Sequence, residues 1–484
     1  MTATDFGFAK AAWLCIALAT AALSGCGGDS AGTDTSNGAS PGALSDAALL
    51  GEKLFSDMKL SVSGQQACST CHVPSHAYTS GDGQSVPLGG AAMNFPGFRN
   101  APSLVYAALT PGFTIVDGAP SGGFFRDGRA SDLSTQATQV FVNPFEMANK
   151  SAAEVIARLQ TSQASLQTFI GVYGADVLND PETALIDMAQ AIAAYETEDL
   201  SFHPFSSKFD AWLAGTTTLT AAEARGLALF NNPAKGNCTA CHPSQRQEFS
   251  EHPLFTDFSY DNIGVPRNWK IVANALNPIS PVDGAALTYI PLEANIPPGS
   301  EYGFYDLGLC GPFEPAPTDP HPRPLLSGTT SACGQFKVPT LRNIALTAPY
   351  FHNGVFDTLK QVIEWYVTRD INNDPGNNPN PVAAGPGGNP YAPSGSFYTA
   401  ADGSSDEFEY NDLPVDFDAN VNVGEVPYTP PTFAGGQSPT LTADDINAVI
   451  AFLCTLTDGF DPAHPSAYTL PAQCQAASAA ASQP

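Results

Sequence analysis

Two short cysteine motifs constrain this chain more than any other feature. Both fit C-x-x-C-H, and they occupy residues 68–72 and 238–242. Each offers two thiols and an imidazole, contributed by Cys68, Cys71, His72, Cys238, Cys241 and His242. In this spacing the thiols add to the vinyl groups of a haem, and the adjacent histidine reaches the iron as proximal ligand. We therefore expect two covalently bound c-type haems.

A zinc site and a redox-active dithiol are the alternative interpretations of these motifs. A zinc site would need further Cys or His residues nearby in a suitable pattern. A thioredoxin-like dithiol would need a βαβ context. Because the motif occurs twice in a chain that also begins with an export signal, haem is favoured over both alternatives.

The stretch before each motif is also repeated. Residues 51–55 and 226–230 both read G-x-x-L-F, and each predicts a short helix leading into a haem site, as in a cytochrome c module. The second helix carries a capping box, Thr220-x-x-Glu223, in which both side chains accept hydrogen bonds from free backbone N–H groups. The repeat predicts a mainly α fold with two cytochrome c-like haem domains.

The boundary between these domains is expected near residues 205–220. We assign 43–210 to an N-terminal haem domain and 211–475 to a C-terminal one, with long loop insertions. The segment 371–438 is rich in Gly, Pro, Asn and Asp, and it is longer than a connecting loop should be. A partner-docking insert, an acidic cation site and a purely structural insert are all compatible with this composition.

The amino terminus has the features of an export signal. Lys10 precedes an apolar run of about fifteen residues, which is too short to span a bilayer comfortably. The run ends in L-S-G-C at Cys26, which resembles a bacterial lipobox, whose cysteine is lipidated. Residues 1–26 are therefore predicted to be a lipoprotein signal and 27–42 a flexible tether. The expected location is the periplasmic side of the outer membrane or the cell surface, held by the lipid alone.

Four cysteines lie outside the motifs and the signal. In an oxidising compartment such residues form disulfides. The simplest pairings join neighbours in sequence, Cys310 with Cys333 and Cys454 with Cys474. Each bond would close a surface loop and have a structural role.

The chain is strongly acidic, since 19 Lys and Arg residues face 47 Asp and Glu residues, giving a net charge of −28. Such a surface argues against nucleic acid and favours basic partners, such as small cationic electron carriers. Solubility outside the cell would select the same composition, so the charge alone does not identify a partner.

Several segments around the motifs resemble one known family. They read ACSTCHVPSHAYTSG, FRNAPSL, FFRDGRASDLSTQATQVFVNPFEMA, LFNNPAKGNCTACHPS, DNIGVP and FKVPTLRNIALTAPYFHNGVFDTLKQVIEWY. In their order and spacing they resemble the bacterial dihaem cytochrome c peroxidase and MauG family, over roughly residues 43–460.

The resemblance implies a division of labour between the haems. The haem on His72 would react with hydrogen peroxide, and the haem on His242 would relay or store an oxidising equivalent. Gln136 and Glu146 match the family's distal glutamine and glutamate. A carboxylate beside peroxide can move a proton between its oxygens and help the O–O bond break, while the glutamine would orient peroxide or water.

The resemblance also implies one calcium ion between the domains. Asn100 matches the family's side-chain ligand, and Thr347 and Pro349 match residues that donate backbone carbonyls. Oxygen ligands suit this hard cation. The ion would be structural and would fix the distance between the haems.

Tyr366 departs from the pattern of the peroxidases in this family. Residues 358–367 predict a helix, whose apolar face is formed by Leu359, Val362, Ile363 and Tyr366. Peroxidases place an axial methionine of the second haem here, but no methionine follows Met188. MauG-like members place an axial tyrosine here, so Tyr366 is expected to ligate the second iron. A phenolate stabilises ferric and higher states.

Two further departures concern the first haem and the path between the haems. Residues 89–102 lack the removable distal histidine of peroxidases that require reductive activation. We therefore expect an open first haem that is ready for peroxide. Arg126 stands where the family usually has a tryptophan relay, which argues against fast charge sharing by that route.

Three functions remain open on the sequence. The chain could reduce peroxide with electrons from a small basic cytochrome. It could instead use stored oxidising equivalents on Trp or Tyr residues of a partner protein, as MauG-like enzymes do. A non-enzymatic electron carrier is the third, but Gln136 and Glu146 beside an unligated iron argue against it.

Overall fold

The computed structural model describes residues 43–247, 250–268, 270–274, 304–313, 318–322, 330–369, 412–428 and 439–480, with a few isolated positions. Helices and long loops dominate these ranges. The helices are α1 Asp46–Phe55, α2 Cys68–Cys71, α3 Leu133–Val142, α4 Ala152–Leu159, α5 Gln163–Tyr173, α6 Pro181–Glu198, α7 Lys208–Leu213, α8 Ala221–Asn231, α9 Leu359–Thr368, α10 Ala443–Cys454 and α11 Ala472–Ala480.

The strands are short and occur as antiparallel pairs. They are β1 Leu88–Gly89, β2 Phe95–Pro96, β3 Thr114–Val116, β4 Ala119–Ser121, β5 Tyr260–Asp261 and β6 Phe336–Lys337. Within the described residues β1 pairs with β2, β3 with β4 and β5 with β6. The predicted mainly α fold with long loops is confirmed.

The first hydrophobic core forms where α1 packs across α6. Gly51 lies at this crossing, and a Cβ atom there would overlap the carbonyl oxygen of Ala191. Glycine therefore allows the two helix backbones to approach closely. The Phe55 ring then packs edge-on against Tyr195, with the ring centroids 5.7 Å apart.

The second core repeats this arrangement where α8 packs across α10. A Cβ atom at Gly226 would overlap the carbonyl oxygen of Ala448, and the Phe230 ring lies 5.2 Å from that of Phe452. The predicted capping box starts α8, because Thr220 accepts from the Glu223 backbone and Glu223 accepts from the Thr220 backbone. The G-x-x-L-F repeat is therefore a repeated helix crossing.

Two disulfide bonds tie the second half of the chain. They join Cys310 with Cys333 and Cys454 with Cys474. The second bond connects α10 to α11, and Cys454 and Cys474 are both part of the second core.

Some predictions fall partly or wholly outside the described residues. These are the signal 1–26 with its lipidation site Cys26, the tether 27–42, and the parts 371–411 and 429–438 of the insert. No helix in the described part of the chain is long and apolar enough to cross a membrane. The domain boundary near 205–220 stays a prediction.

Candidate haem sites

The first motif forms a one-turn helix, α2, which brings the two cysteines onto one side of the turn. His72 follows directly as its C-cap. Its Nδ1 lies 2.8 Å from the carbonyl oxygen of Tyr78. A carbonyl can only accept, so Nδ1 carries the proton and Nε2 keeps the free lone pair that an iron ligand needs. Burial lowers the pKa of His72, which keeps the ring neutral.

The second motif has the same arrangement on a 3-10 helix, Cys238–Ala240. The Nδ1 atom of His242 lies 2.8 Å from the carbonyl oxygen of Phe255, and burial again lowers the pKa of the imidazole. This nitrogen must also donate, which leaves Nε2 of His242 available for a metal.

Each histidine is oriented by an aromatic residue that sequence reasoning missed. Tyr78 and Phe255 both have φ 55°, in the left-handed region, where bulky residues are rarely found. The Tyr78 ring packs on Phe55 with centroids 6.1 Å apart, and the Phe255 ring packs on Phe230 at 6.2 Å. The phenylalanine of each G-x-x-L-F segment thus supports the residue that holds the histidine.

The cysteines of the first motif fit haem attachment better than the alternatives. Burial raises the pKa of Cys68 to about 12 and that of Cys71 to about 11, whereas a redox-active dithiol needs a lowered pKa. In the described residues, Cys68, Cys71 and His72 form no cluster whose ligand atoms lie close enough for a shared metal ion. Two thiols and a neutral imidazole on one turn are the donor set of a c-type haem.

A cavity of about 320 Å³ is lined by residues from both halves of the chain, that is, from 43–210 and from 211–475. Predicted site residues in its lining are Gln136, Asn100, Cys238, Cys241, His242, Thr347, Pro349 and Tyr366. Apolar side chains of α9 and α10 complete it, among them Leu359, Val362, Ile363, Val449 and Leu453. An apolar lining with a few polar groups suits a macrocycle held by thioether bonds.

Glu146 belongs with the first motif rather than with this cavity. Its charge, together with burial, raises the pKa of both Cys68 and Cys71. Burial raises the pKa of Glu146 itself to about 7, although the charge of Arg129 opposes this effect. The carboxyl therefore titrates close to neutral pH.

The backbone around Glu146 is fixed by a tight turn after α3 and by β1. The Asn143 carbonyl oxygen accepts from the Glu146 N–H, and the Glu146 carbonyl oxygen accepts from Gly90 at 2.9 Å. A Cβ atom at Gly89 would overlap the carbonyl oxygen of Phe145, so glycine lets β1 approach. Gln136 lies on α3 and is partly buried.

Residues 89–102, the segment without a distal histidine, pack against the turn that carries Glu146. Phe98 lies 4.5 Å from Phe145 and 4.6 Å from Phe304, measured between ring centroids. Met93, the single soft ligand in this segment, is partly buried in a turn and has φ 54°. The aromatic side chains around Phe98 thus anchor the segment beside Glu146.

Tyr366 lies on α9 with its phenol near the second motif. Burial raises the pKa of this phenol far above its usual value, and Cys241 and Cys238 add to the effect. Its ring packs on Phe351 at 5.9 Å and on Trp365 at 5.1 Å. A phenol so buried loses its proton only to a strong positive charge, such as a ligated metal.

Tyr428 is a second tyrosine at this site that the sequence did not reveal. It comes from the insert, is buried, and stacks on Tyr366 with ring centroids 5.6 Å apart and an interplanar angle of 24°. The guanidinium of Arg369 lies 4.0 Å from the centre of the Tyr428 ring. The insert therefore takes part in building the second site.

The insert also supports the motif around His352. The Nε2 atom of His352 lies 3.1 Å from a carboxylate oxygen of Asp412, and Asn353 donates to the same oxygen at 2.9 Å. The His352 ring stacks on Phe336 with centroids 3.7 Å apart. His352 is therefore held in place by a hydrogen bond to the insert.

Asn100, the side-chain ligand predicted for calcium, is not available to that ion in this structure. Arg126 donates from Nε to the Asn100 carbonyl oxygen and from Nη2 to the Asn100 Oδ1, both at 3.0 Å. Burial lowers the pKa of Arg126 to about 10, so the guanidinium stays charged at neutral pH. The predicted side-chain ligand is thus already bonded to a cation.

Further buried charges surround Arg126. Arg99 pairs with Asp127 at 3.0 Å and with Asp306 at 2.5 Å, and Arg129 pairs with Asp127 at 2.9 Å. Burial lowers the pKa of Lys337 to about 7, and its ammonium donates to the Gly123 carbonyl oxygen. Arg126 therefore lies within a network of charged side chains in which Asp127 bridges two arginines.

The fold and the two histidine-bearing motifs define a dihaem c-type protein, and the comparisons with known proteins specify its family. A family model described as di-haem cytochrome c peroxidase matches residues 45–218. The methylamine utilization protein MauG of Paracoccus denitrificans (strain Pd 1222) is 36% identical over 348 residues, which cover 71% of this chain and 79% of that protein.

Two other similar proteins are peroxidases. The cytochrome c551 peroxidase of Nitrosomonas europaea is 29% identical over 336 residues, covering 68% of this chain and 76% of that protein. The crystal structure of the diheme peroxidase BthA from Burkholderia thailandensis E264 is 32% identical with a TM-score of 0.66, covering 86% of this chain and 87% of that one.

The chain belongs to the dihaem cytochrome c peroxidase and MauG family. It is a peroxidase-type oxidoreductase, and the two predicted c-type haems are confirmed by that membership. The roles of individual side chains stay predictions, and so does the calcium ion.

Proposed function

We propose that this protein reduces hydrogen peroxide beside His72, with Glu146 moving the proton. The observation that carries the proposal is the Glu146 carboxyl, whose pKa is raised by burial to about 7 and whose charge reaches both thiols of the first motif. A group that titrates near neutral pH can take a proton from one peroxide oxygen and return it to the other. The haem, when bound, supplies the redox chemistry.

Gln136 orients the peroxide or a water molecule in this proposal. An amide side chain can both donate and accept a hydrogen bond, and Gln136 lies on α3, the helix that leads into the turn carrying Glu146. Residues 89–102 contain no histidine, so no imidazole from this segment can ligate the first haem iron. The oxidised protein is therefore ready for peroxide without prior reduction.

Tyr366 and His242 would hold the second iron in this proposal. The support is that both line the same cavity and that the Tyr366 phenol is coupled by charge to Cys241 and Cys238. A phenolate favours ferric iron. Electrons come from a small basic cytochrome, which the net charge of −28 would attract.

Oxidation of Trp or Tyr residues in a partner protein is the second candidate function. Tyr366, Tyr428 and Trp365 form a contiguous set of oxidisable rings at the second site. A route for electrons from the side chains of a partner protein to the second haem would need rings that can be oxidised in this way. The acidic surface favours the cytochrome instead, so an experiment has to separate the two candidates.

The experiment adds stoichiometric hydrogen peroxide to the oxidised holoprotein and follows the haem spectra, with and without a reduced basic cytochrome c. Rapid oxidation of the cytochrome is expected for the first function. A long-lived spectral change with little cytochrome oxidation would favour the second. An unchanged spectrum on addition of peroxide would overturn both. A six-coordinate, low-spin first haem in the oxidised protein would refute the open site.

We also infer export and lipid anchoring at Cys26, on the periplasmic side of the outer membrane or at the cell surface. The support is the apolar run that ends in L-S-G-C. Mass spectrometry of the amino-terminal peptide should find a lipidated cysteine, and Cys26→Ala should release the protein from the membrane fraction. An unmodified Cys26 in the mature protein would contradict the inference.

A further inference from the structure

Arg126 forms two hydrogen bonds with a single partner, Asn100. Its Nε donates to the backbone carbonyl oxygen and its Nη2 to the side-chain Oδ1, each at 3.0 Å. The Asn100 Nδ2 donates to the carbonyl oxygen of Ser85 at 3.3 Å. The amide can satisfy both partners only in this orientation, so Oδ1 is directed at the guanidinium.

This pair lies where the two halves of the chain meet. The Asn100 N–H donates to the carbonyl oxygen of His352 at 2.7 Å, and the Lys337 N–H donates to the Arg126 carbonyl oxygen at 2.8 Å. Asn100 is 4% exposed, and Thr347 lines the same cavity. The Arg126 guanidinium therefore bonds to Asn100, which is itself hydrogen-bonded to Ser85 in the first half of the chain and to His352 in the second.

We propose that the Arg126 guanidinium takes the place of a calcium ion at this junction, so that the folded holoprotein binds no calcium there. Calcium takes six to eight oxygen ligands, and acidic side chains contribute many of them. Asn100 offers its oxygens to the guanidinium, and the carboxylates nearby, Asp127 and Asp306, are paired with arginines.

The charge balance of the junction leads to the same inference. Arg99, Arg126 and Arg129 bring three positive charges to this region against the two negative charges of Asp127 and Asp306, so a divalent cation beside them would be repelled. Among the described residues, a group of His, Cys, Asp or Glu side chains that could hold a metal ion is formed by Cys241, Asp261 and Glu425. This group includes none of the residues predicted to bind calcium. Tryptophan, which the family resemblance leads us to expect at position 126, carries no charge, so in this proposal the arginine supplies the positive charge that replaces the ion.

Calcium content of the holoprotein tests the proposal directly. After gel filtration in calcium-free buffer, the wild-type protein should contain no stoichiometric calcium by mass spectrometry. Titration with Ca²⁺ in a calorimeter should give no saturable heat, and EGTA should leave the thermal unfolding temperature unchanged. One bound calcium per chain, with a fall in unfolding temperature on EGTA addition, would overturn the proposal whatever the variants do.

Arg126→Ala and Arg126→Trp test whether the guanidinium occupies the ion's place. Both free the Asn100 oxygens, so each variant should bind one Ca²⁺ per chain and unfold about 2–4 °C higher with calcium than with EGTA. Arg129→Ala is the matched control, since it removes a neighbouring guanidinium that is bonded to Asp127, and it should gain no site. The double variant Arg126→Ala with Asn100→Ala should lose the calcium site that Arg126→Ala gains. Folded Arg126 variants that bind no calcium would overturn the proposal.

Discussion

Replacing Glu146 by glutamine is the most direct test of the chemistry proposed for the first haem. Glutamine keeps the shape of the side chain but cannot carry a proton between the oxygens of peroxide. General acid–base catalysis by one positioned group contributes about 10²–10⁴-fold to a rate. The second-order rate of reaction between hydrogen peroxide and the oxidised holoprotein should therefore fall by about that factor.

The raised pKa of Glu146 also fixes the shape of the pH profile. With a pKa of about 7, the carboxyl is about 9% ionised at pH 6 and about 91% ionised at pH 8, a tenfold rise. An ordinary glutamate is already more than about 95% ionised at pH 6, so its profile would be flat. Because the carboxylate form accepts the proton, the wild-type rate should rise about tenfold from pH 6 to pH 8.

Stopped-flow absorption of the haems measures both effects in one experiment. Glu154→Gln is the matched control, because Glu154 pairs with Arg158 on the surface helix α4 and should leave the rate unchanged. A wild-type profile that is flat between pH 6 and pH 8, or a Glu146→Gln rate within about twofold of wild type, would refute the proton-transfer role.

Three further predictions concern the second haem and the packing of the fold. Tyr366→Phe should change the absorption spectrum of the second haem and leave that of the first unchanged; an unaltered second-haem spectrum would show that Tyr366 is not a ligand. Gly226→Ala should lower the free energy of unfolding by about 1–3 kcal/mol, because its Cβ overlaps a carbonyl oxygen. The control Gly171→Ala, on α5 with open space around it, should raise that free energy by about 0.5–1 kcal/mol. Burial would raise the pKa of Asp210, but the hydrogen bonds and charge of Arg342 together with hydrogen bonds from Ser207 hold it at about 2. This carboxylate therefore stabilises the fold above about pH 4, and about 2 kcal/mol of that stability is lost as the pH falls to 2. Urea unfolding of wild type and Asp210→Asn against pH measures that loss, which the variant should not show.

The cofactor attachment and the main helices could be predicted from the sequence because their signals are local. The C-x-x-C-H spacing fixes two thiols and one imidazole on a single turn, and the capping box of α8 depends on residues three apart. The 3.6-residue period placed Leu359, Val362, Ile363 and Tyr366 on one face of α9. In the structure Leu359 and Ile363 are buried, and Val362 and Tyr366 are partly buried.

The parts that could not be predicted depend on contacts between distant segments. Tyr428 reaches Tyr366 from a segment whose composition suggested an irregular loop. Arg126 could be recognised as a departure from the family, but its two bonds to Asn100 required the folded chain. The left-handed conformation of Tyr78 runs against the usual preference of aromatic residues, so no local rule would have assigned it.

The two haem sites share a set of contacts that the C-x-x-C-H motif does not contain. In each half a glycine allows two helices to cross, the phenylalanine four residues later packs on an aromatic residue, and the carbonyl oxygen of that residue orients the histidine. Since this framework is the same in both halves, it cannot produce the difference in role that we propose for the two haems. Under that proposal the difference comes from additional groups, a titrating carboxyl at Glu146 near the first motif and the stacked phenols of Tyr366 and Tyr428 near the second. Changes at these added groups should therefore alter reactivity while haem attachment is retained.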